Sequence, residues 1–338
     1  MRDRTDALAD LLQHGGNLAA ARRAFPDAPE PWIDLSTGIN PIPFPLPSFP
    51  PAIWSRLPEA ADVAALEDAA ADTYGAADDA ALVAVPGTQS ALQILPLLIP
   101  ARRVAILGFT YGEHARVWSA AGAEIVTVSE PEALADADVG IVVNPNNPDG
   151  RLIDPARLAT IAATMAARGS WLIVDEAFAD VMEPEATLIP GRPHGAIVLR
   201  SFGKAWGLAG VRLGFVIADA DLVTTIRAML GPWAVSGPAI AAGRAALADP
   251  DWLTAARTRL EADALRLDGL LSGAGFAIAG GTPLFRLGSH PRAASRFQTL
   301  GRQGILVRAF SGLSGRLRFG LPADETSWER LAGALRGL

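Results

Sequence analysis

Short apolar runs alternate with longer Ala- and Leu-rich stretches through the middle of the chain. The runs have the length of β-strands, and several are apolar at every position, as in strands that are covered on both faces. Helix candidates such as 155–168 lie between them. The alternation predicts an α/β fold with a mostly parallel sheet and crossover helices. The predicted strands are 81–85, 103–109, 124–128, 139–144, 171–175, 197–201 and 213–218.

The pattern changes near residue 222. A helical region over 239–268, interrupted near Pro250, precedes short strands predicted around 276–278, 284–287, 305–308 and 316–321, which indicates a smaller α+β domain. Before the α/β region, a proline-rich stretch predicts an extended, irregular connection. We therefore predict an N-terminal segment that joins the small domain, a large domain and a small C-terminal domain, with the bounds 1–40, 41–235 and 236–338.

Composition narrows the classes of partner. The 338 residues are 50% hydrophobic and 19% charged, which is typical of a globular protein, and the net charge of -7 argues against nucleic acid as a partner. The absence of cysteine excludes disulfides, thiolate metal sites and cysteine nucleophiles, and we expect no metal. The charged N-terminus does not resemble a signal peptide, and no apolar run approaches the length of a membrane span. We expect a cytoplasmic protein that does not bind membranes.

Candidate chemistry lies where the predicted strands end, because ligands of open α/β sheets bind outside the carboxyl ends of the strands. Asp175 and Glu176 follow an apolar strand, where a carboxylate needs a partner. A helix N-cap or a metal ligand would also explain Asp175. Lys204 lies in a glycine-rich, aromatic stretch, where partial burial would lower its pKa and make the amine nucleophilic. An isolated lysine in this position is otherwise a solvated surface group.

Two further strand ends carry turn residues. The stretch 144–150 reads Asn-Pro-Asn-Asn-Pro-Asp-Gly, and turn formation alone would explain it. The stretch 86–90 reads Pro-Gly-Thr-Gln-Ser and opens a helix, whose first N–H groups form an anion site. Each feature alone is weak support for a ligand site.

The order of these features is much more specific than any one of them. The chain resembles the fold-type I pyridoxal-phosphate (PLP) enzymes, which have the aspartate-aminotransferase fold, in the branch that contains histidinol-phosphate aminotransferase. The resemblance covers essentially the whole chain and implies pyridoxal 5'-phosphate as the cofactor. It rests on the glycine turn at 86–90 followed in order by Tyr111, Asn147, Asp175, Ser201, Lys204 and Arg212.

The resemblance implies a role for each matching residue. Lys204 would hold the cofactor as a Schiff base, and Asp175 would keep the pyridine nitrogen protonated so that the ring accepts electrons. Asn147 would hydrogen-bond the phenolic oxygen of the ring, and Tyr111 would stack on the ring face. The catalytic residues would thus be Lys204, Asp175 and Tyr111. The cofactor phosphate would be held by Gly87, Thr88, Gln89, Ser201 and Arg212.

Two positions depart from the family pattern. Phe178 stands where the family commonly has a tyrosine, so one hydrogen bond to the phenolic oxygen is missing. Leu57 stands where relatives have a tyrosine that reaches the cofactor phosphate of the partner subunit. The family implies a homodimer, but that cross-subunit contact is in doubt because leucine cannot donate a hydrogen bond.

The N-terminal region separates members of this superfamily. His14-Gly15-Gly16-Asn17 and the stretch 32–41 are similar to the opening of threonine-phosphate decarboxylases, especially the shorter homologues of the aerobic cobalamin pathway. The alternative for the first motif is a loop with a helix N-cap at Asn17. The resemblance implies a phosphorylated amino acid as substrate, with binding residues His14, Gly38, Asn147, Arg308 and Arg318.

Within the substrate set, Arg318 would grip the carboxylate with two hydrogen bonds, and His14 and Arg308 would bind the phosphate. A surface salt bridge is the alternative for Arg308. The implied reaction is decarboxylation of L-threonine O-3-phosphate to (R)-1-amino-2-propanol O-2-phosphate in cobalamin biosynthesis. A histidinol-phosphate type aminotransferase is the alternative enzyme. A non-catalytic protein of this fold is a third hypothesis, and the matching cofactor residues argue against it.

Overall fold

The computed structural model describes residues 2–76 and 81–337, without the side chains of residues 2–5. Its α-helices are α1 Arg2–Leu11, α2 Leu18–Ala24, α3 Ala52–Ser55, α4 Ala60–Tyr74, α5 Thr88–Leu98, α6 Glu113–Ala120, α7 Pro155–Ala166, α8 Ala220–Leu230, α9 Gly237–Leu247, α10 Pro250–Gly273, α11 Ala293–Arg302 and α12 Glu325–Arg336. Its strands are β1 Ile33–Leu35, β2 Ala81–Val85, β3 Arg103–Leu107, β4 Glu124–Val128, β5 Val139–Val143, β6 Trp171–Asp175, β7 Ala196–Ser201, β8 Gly214–Ala218, β9 Ala277–Thr282, β10 Phe285–Ser289, β11 Ile305–Ala309 and β12 Arg316–Gly320.

The chain forms two compact units. One comprises Pro43–Asn147 and Arg151–Ala255, and the other comprises Met1–Ile42, Pro148–Gly150 and Ala256–Leu338. We call them the large and the small unit. The first holds the seven-stranded sheet and the second holds the five-stranded sheet.

The sheet of the large unit has the order β2-β8-β7-β6-β5-β3-β4. Neighbouring strands from β7 to β4 are parallel, whereas β8 is antiparallel to both β2 and β7. All seven predicted strands are present, with ends that move by one or two residues. Since β5 is buried at every position, its uninterrupted apolar sequence reflects cover on both faces. The predicted α/β fold with a mostly parallel sheet is confirmed.

Helix α7 shows how the crossover connections are set locally. Asp154 is its N-cap and accepts a hydrogen bond of 2.8 Å from the N–H of Ala156. Pro155 occupies the first helical position, where its missing N–H has no cost. The buried face carries Leu158, Ile161 and Met165 at helical spacing.

The sheet of the small unit has the order β1-β11-β12-β10-β9. Its predicted strands at 276–278, 284–287, 305–308 and 316–321 correspond to β9, β10, β11 and β12. Strand β1 was not predicted; it pairs in parallel with β11, with Ile33 opposite Ile305.

Residues 148–150 also belong to this unit, and a Cβ at Gly150 would lie 1.9 Å from the carbonyl oxygen of Gly281. The glycine of the Asn-Pro-Asn-Asn-Pro-Asp-Gly stretch is therefore required by close backbone packing as well as by its φ of 71°. In the described part of the chain, no helix combines the length and the apolar character that a membrane crossing needs.

Candidate active site

The cofactor residues implied by the sequence all belong to the large unit. Most lie at or just beyond the carboxyl ends of β2, β3, β5, β6 and β7, and Arg212 directly precedes β8. The strand register brings two of these ends together, since Gly214 pairs with both Val85 and Ser201. Asp175 lies on β6 beside Val143 and Leu199 of the neighbouring strands. One edge of the sheet therefore collects the glycine turn, the asparagine turn, the carboxylate and the lysine turn.

The start of α5 forms a cradle for an anion. Gly87 is its N-cap with a φ of 76°, no side chain caps the helix, and the first N–H groups of a helix have no intrahelical acceptor. A Cβ at Gly87 would lie 2.4 Å from Nη2 of Arg212, so the guanidinium lies directly against this glycine. Gly214 packs closely against the first residue of α5, because a Cβ at position 214 would lie 2.8 Å from the backbone nitrogen of Thr88. The cradle thus combines backbone N–H groups with a positive charge.

Arg212 is held in an uncommon backbone conformation. Its φ is 56°, in the left-handed region that non-glycine residues avoid. Such conformations cost about 1–3 kcal/mol and concentrate at functional sites. Its side chain is exposed, and Nη1 donates to the carbonyl oxygen of Ala209 at 3.1 Å. This geometry aims a solvent-accessible guanidinium at the start of α5.

Asp175 has two defined partners. Its Oδ2 lies 2.9 Å from Nε2 of His114, and its Oδ1 accepts from the N–H of Ala177 at 3.1 Å. His114 is fully buried, and within the described residues its Nδ1 has no hydrogen-bond partner. An ionised carboxylate only accepts, so in that form of the pair the hydrogen bond runs from the Nε2–H of His114 to Oδ2 of Asp175. The pair fixes the orientation of a buried carboxylate at the strand end.

His114 was missed in the sequence analysis. The signal for it is its position, three residues after Tyr111, since residues at this spacing near a helix start share a face. The two rings meet edge to face, with centroids 6.1 Å apart. Glu176, the second acidic residue of the strand end, points elsewhere: its carboxylate pairs with Arg200 at 2.9 Å in the interior. Burial raises the pKa of Glu176, and the charge of Arg200 opposes that rise.

Tyr111 is held by a chain of polar contacts. Its hydroxyl donates to Oε1 of Gln89 at 3.1 Å, and Nε2 of Gln89 donates to Glu113 at 3.1 Å. Burial, the largest cause, and the carboxylates of Glu113 and Asp175 together raise the pKa of Tyr111 to about 12. The phenol therefore stays neutral at physiological pH. The side chain of Tyr111 is held at its hydroxyl by Gln89 and at its ring by His114.

The burial of the two tyrosines of the chain can be tested by a pH titration. Burial raises the pKa of Tyr74 as well as that of Tyr111, so both phenols hold their protons more tightly in the folded protein. The stability from this effect is fully present below the unfolded pKa of about 10 and is lost as the pH rises toward 12. A spectrophotometric titration should show no tyrosinate near pH 10 in folded protein, and Tyr111→Phe should remove one of the two later transitions. A native transition centred near pH 10 would contradict the burial of these phenols.

Lys204 lies in a turn that aromatic residues hold in place. Phe202 and Trp206 flank it, are buried and stack with centroids 5.5 Å apart. Trp206 also stacks on Trp252 at 5.4 Å, and its carbonyl accepts from the N–H of Phe44. The lysine itself is half-buried rather than fully solvated. The backbone at Lys204 is therefore held in place by packed aromatic residues before and after it.

The surroundings of the lysine amine add two facts. Nζ lies 5.7 Å from the ring centroid of Phe178, within the range of a cation–π contact. The residue that departs from the family tyrosine thus contacts the lysine through its ring face. Lys204 is also the only lysine among the 29 Lys and Arg residues of the chain, a signal that the sequence analysis did not use. It supplies the single side-chain amine of the protein.

Asn147 is half-buried in the turn that follows β5, and its neighbours hold that turn. Asn144 exchanges two hydrogen bonds with the backbone of Ile153, at 2.7 and 3.0 Å. Nδ2 of Asn146 donates to the carbonyl oxygen of Phe109 at 3.1 Å. Turn chemistry is therefore confirmed for Asn144 and Asn146.

A second group of implied residues lies in the small unit, around Ser36. The carbonyl oxygen of Ser36 accepts from Nη2 of Arg318 at 2.7 Å, and its Oγ accepts from the N–H of Gly16 at 2.7 Å. A Cβ at Gly15 would lie 2.3 Å from that same carbonyl oxygen. The His-Gly-Gly-Asn motif and the stretch 32–41 therefore meet at one residue. Gly38 is buried in this region, whereas His14 is exposed.

The alternative interpretations of Asn17 and Arg308 have different outcomes: the helix N-cap at Asn17 is present, and the salt bridge at Arg308 is not found among the described side chains. Asn17 is the N-cap of α2 and accepts from the N–H of Ala20 at 3.0 Å. Arg308 forms no salt bridge among the described side chains; its Nη1 and Nη2 donate to the carbonyls of Leu11 and Gln13, at 2.8 and 2.6 Å. It thereby holds the segment that leads into His14.

Arg308 and Arg318 face each other across β11 and β12. Burial and, to a smaller extent, the charge of Arg308 together lower the pKa of Arg318 to about 9, against the opposing charge of Asp34. Burial also lowers the pKa of Arg308 to about 10. Two partly desolvated guanidiniums opposite each other are unfavourable alone and favour an anion. The small unit therefore carries a second anion-attracting cluster.

Gly15 provides a test of the contact with Ser36. In Gly15→Ala the new Cβ overlaps the carbonyl oxygen of Ser36, so the loop that carries His14 must move. We expect KM to rise about tenfold, because the displaced loop would lose roughly one charged hydrogen bond to the substrate. Cofactor binding should be unchanged. Gly269→Ala is the matched control, because a Cβ there meets no atom within 4 Å. An unchanged KM in Gly15→Ala would show that the loop does not contribute to substrate binding.

Comparisons with known proteins concern the chain as a whole. Residues 54–335 match the family model described as aminotransferase class I and II. The chain is 47% identical to a threonine-phosphate decarboxylase of Sinorhizobium sp, covering 96% of this chain and 97% of the relative. It is 43% identical to a threonine-phosphate decarboxylase of Pseudomonas aeruginosa, covering 97% and 98% of the two chains. Among solved structures, histidinol-phosphate aminotransferase from Sinorhizobium meliloti in complex with pyridoxal-5'-phosphate superposes with a TM-score of 0.79 at 19% identity, covering 94% of each chain.

Proposed function

This chain belongs to the class I and II aminotransferase family, and we propose that within it the protein is a PLP-dependent decarboxylase of L-threonine O-3-phosphate. The observation that carries the proposal is the similarity, over nearly the full length of both chains, to two threonine-phosphate decarboxylases. The product would be (R)-1-amino-2-propanol O-2-phosphate. The small-unit cluster around Ser36 supports a substrate that carries both a carboxylate and a phosphate.

The residues of the large unit fit the cofactor. The cradle at Gly87 and Arg212 suits a phosphate, because it joins helix N–H groups to a guanidinium that a side chain at position 87 would displace. Ser201 would add a hydroxyl to it. Asp175, fixed by His114, would pair with the pyridine nitrogen, and Tyr111 would cover the ring. Asn147 would bind the phenolic oxygen, and Lys204 would bind the cofactor covalently. Bound PLP supplies an electron sink for the pair of electrons left on the substrate Cα when a bond there breaks.

Substrate recognition would depend on the small-unit arginines. Arg318 would bind the carboxylate through a two-pronged contact, as planar guanidinium groups do. Arg308 has five N–H donors and uses two on backbone carbonyls, so others remain for the substrate phosphate. His14, which follows the segment that Arg308 holds, is exposed and would bind the same phosphate.

The reaction outcome depends on which bond to the substrate Cα breaks. In a decarboxylase this is the bond to the carboxylate, and we propose that Arg318 would bind and orient that carboxylate. Loss of CO₂ must be followed by the return of one proton to Cα. The ammonium group of Lys204 is the proposed donor, since a positioned side chain contributes about 10²- to 10⁴-fold in such a step. An aminotransferase would instead present the Cα–H bond.

Incubation of the holoenzyme with L-threonine O-3-phosphate, in the absence of any keto acid, tests the assignment. We expect stoichiometric CO₂ and a primary amine that retains its phosphate. The alternative enzyme would release no CO₂ and would transfer the amino group of glutamate to imidazole acetol phosphate. That second result would replace the decarboxylase with an aminotransferase of the histidinol-phosphate type.

We also propose that the enzyme is a homodimer that acts in cobalamin biosynthesis in the cytoplasm. Exposed apolar side chains on and next to α3 support the dimer, because Trp54 is 70% exposed and Leu57 is 65% exposed. Sedimentation velocity should give twice the chain mass, and Trp54→Glu with Leu57→Glu should shift it toward the monomer. Leu265→Glu, at an equally exposed leucine of the small unit, is the control. A wild-type monomer with full activity would contradict the dimer.

A further inference from the structure

One buried arginine of the small unit, Arg296, has no hydrogen-bond or ion-pair partner among the described residues. Among the described residues, Arg192 and Arg200 are buried against carboxylates, and Arg318 is buried with a backbone carbonyl as acceptor. Arg296 is 9% exposed, yet its side chain forms neither a hydrogen bond nor an ion pair within the part of the chain that the structure describes. A guanidinium cannot shed its charge, so burial without a partner is costly. An anion bound at this place would remove the cost.

The surroundings of Arg296 are positively charged. Arg292 lies one helical turn earlier on α11, so the two arginines share a face. Burial lowers the pKa of Arg296, and the charge of Arg292 lowers it further. Burial also lowers the pKa of His290, and both arginines add to that decrease. All three groups are therefore within electrostatic reach of one another, and none forms an ion pair among the described residues.

The N-terminus of α11 also favours an anion. Arg292 is the N-cap, and no side chain caps the helix. The N–H groups of Arg292 and Ala293 are used by His290, through its Nδ1 at 2.9 Å and its carbonyl oxygen at 3.0 Å. The next two N–H groups of the first turn, on Ala294 and Ser295, lie at exposed positions and have no intrahelical acceptor. Because Nδ1 of His290 accepts, its proton is on Nε2, which is then a donor.

We propose that His290, Arg292, Arg296 and the first turn of α11 form a binding site for a phosphate dianion. Two guanidiniums match its two charges, and a helix N-terminus with free N–H groups is a common phosphate site. The site shares no residue with the cofactor cradle or with the cluster around Ser36. It does not depend on which reaction the enzyme catalyses.

Histidine NMR of the holoenzyme tests the site directly. The chain has four histidines, so each imidazole can be assigned by one substitution, such as His290→Gln. Inorganic phosphate is the probe, with acetate at equal ionic strength as the comparison. We expect phosphate to shift the His290 resonances saturably and to raise the pKa of His290, because a bound anion favours the protonated ring. Acetate should leave them nearly unchanged.

Two arginine variants separate a site from a general salt effect. Arg296→Gln should weaken the phosphate response of His290 by about tenfold or more, the loss of one charge-assisted contact. Arg302→Gln, on the exposed last turn of the same helix, should leave it unchanged. If Arg296→Gln does not fold, Arg292→Gln at the exposed N-cap gives the same readout. The proposal is wrong if His290 responds equally to acetate, if the Arg296 or Arg292 variant binds as the wild type does, or if only His14 responds.

Discussion

Lys204→Ala lowers kcat by about 10⁴-fold, the upper end of what one positioned acid–base group contributes, because the same amine binds the cofactor and returns the proton to Cα. No other side chain can replace it, since Lys204 is the only lysine in the chain. The turn around it should remain folded, because Phe202 and Trp206 stack on each other across that turn. The loss should therefore appear in kcat with little change in thermal stability.

Borohydride reduction of the holoenzyme gives the decisive measurement. It should fix the cofactor to the peptide that contains Lys204, and peptide mass analysis should show the added mass there. Lys204→Arg is the matched variant, because it keeps a positive charge near Phe178 but cannot form the covalent bond. A reduced adduct in Lys204→Ala, or turnover by Lys204→Arg near the wild-type rate, would disprove the assignment.

Asp175→Asn is expected to lower kcat by about 10³-fold, as removal of a preorganised electrostatic contact does. The amide oxygen still accepts from the N–H of Ala177, and the amide NH2 group donates to Nε2 of His114 once that ring carries its proton on Nδ1. The change therefore removes the charge and keeps the size of the side chain. Without that charge the pyridine nitrogen loses its proton, and the ring accepts electrons less well. The defect should lie in kcat, with cofactor binding only modestly weaker.

A chemical rescue distinguishes this account from misfolding. Asp175→Asn loaded with a PLP analogue methylated at the pyridine nitrogen carries the missing positive charge permanently, and it should recover much of the lost rate. Asp154→Asn, at the exposed N-cap of α7, is the control and should behave as the wild type. No recovery with the methylated analogue would show that Asp175 acts otherwise than through ring protonation.

Much of the large unit could be predicted from sequence because its strands are locally encoded. Strands such as β5 and β6 are short apolar runs between helices, and burial on both faces leaves that pattern in any parallel sheet. Strand β1 shows the opposite case. It has three residues, one of them Asp34, and exists because Ile33 pairs with Ile305, far away in the chain. Local sequence carries no sign of such a pairing.

The candidate site divides in the same way. Spacing and resemblance pointed to Lys204, Asp175, Asn147 and Arg212. The first three lie at or after the ends of parallel strands, which must share one edge of the sheet, and Arg212 precedes the antiparallel strand β8, which begins at that edge. Their roles stay predictions until the variants are measured. The partner of Asp175 was not foreseen, since His114 lies 61 residues earlier and meets it only when folding brings the start of α6 to the end of β6.

The sequence by itself determined the fold class, the cofactor chemistry expected of Lys204 and the order of the residues around it. Only the tertiary structure decided what each polar side chain contacts. It directed Arg308 to the carbonyls of Leu11 and Gln13, nearly the whole chain away, and left Arg296 buried without a partner among the described residues. The physical reason is that propensity and apolar pattern act over neighbouring residues, whereas hydrogen bonds and burial are completed by groups that folding brings from distant positions.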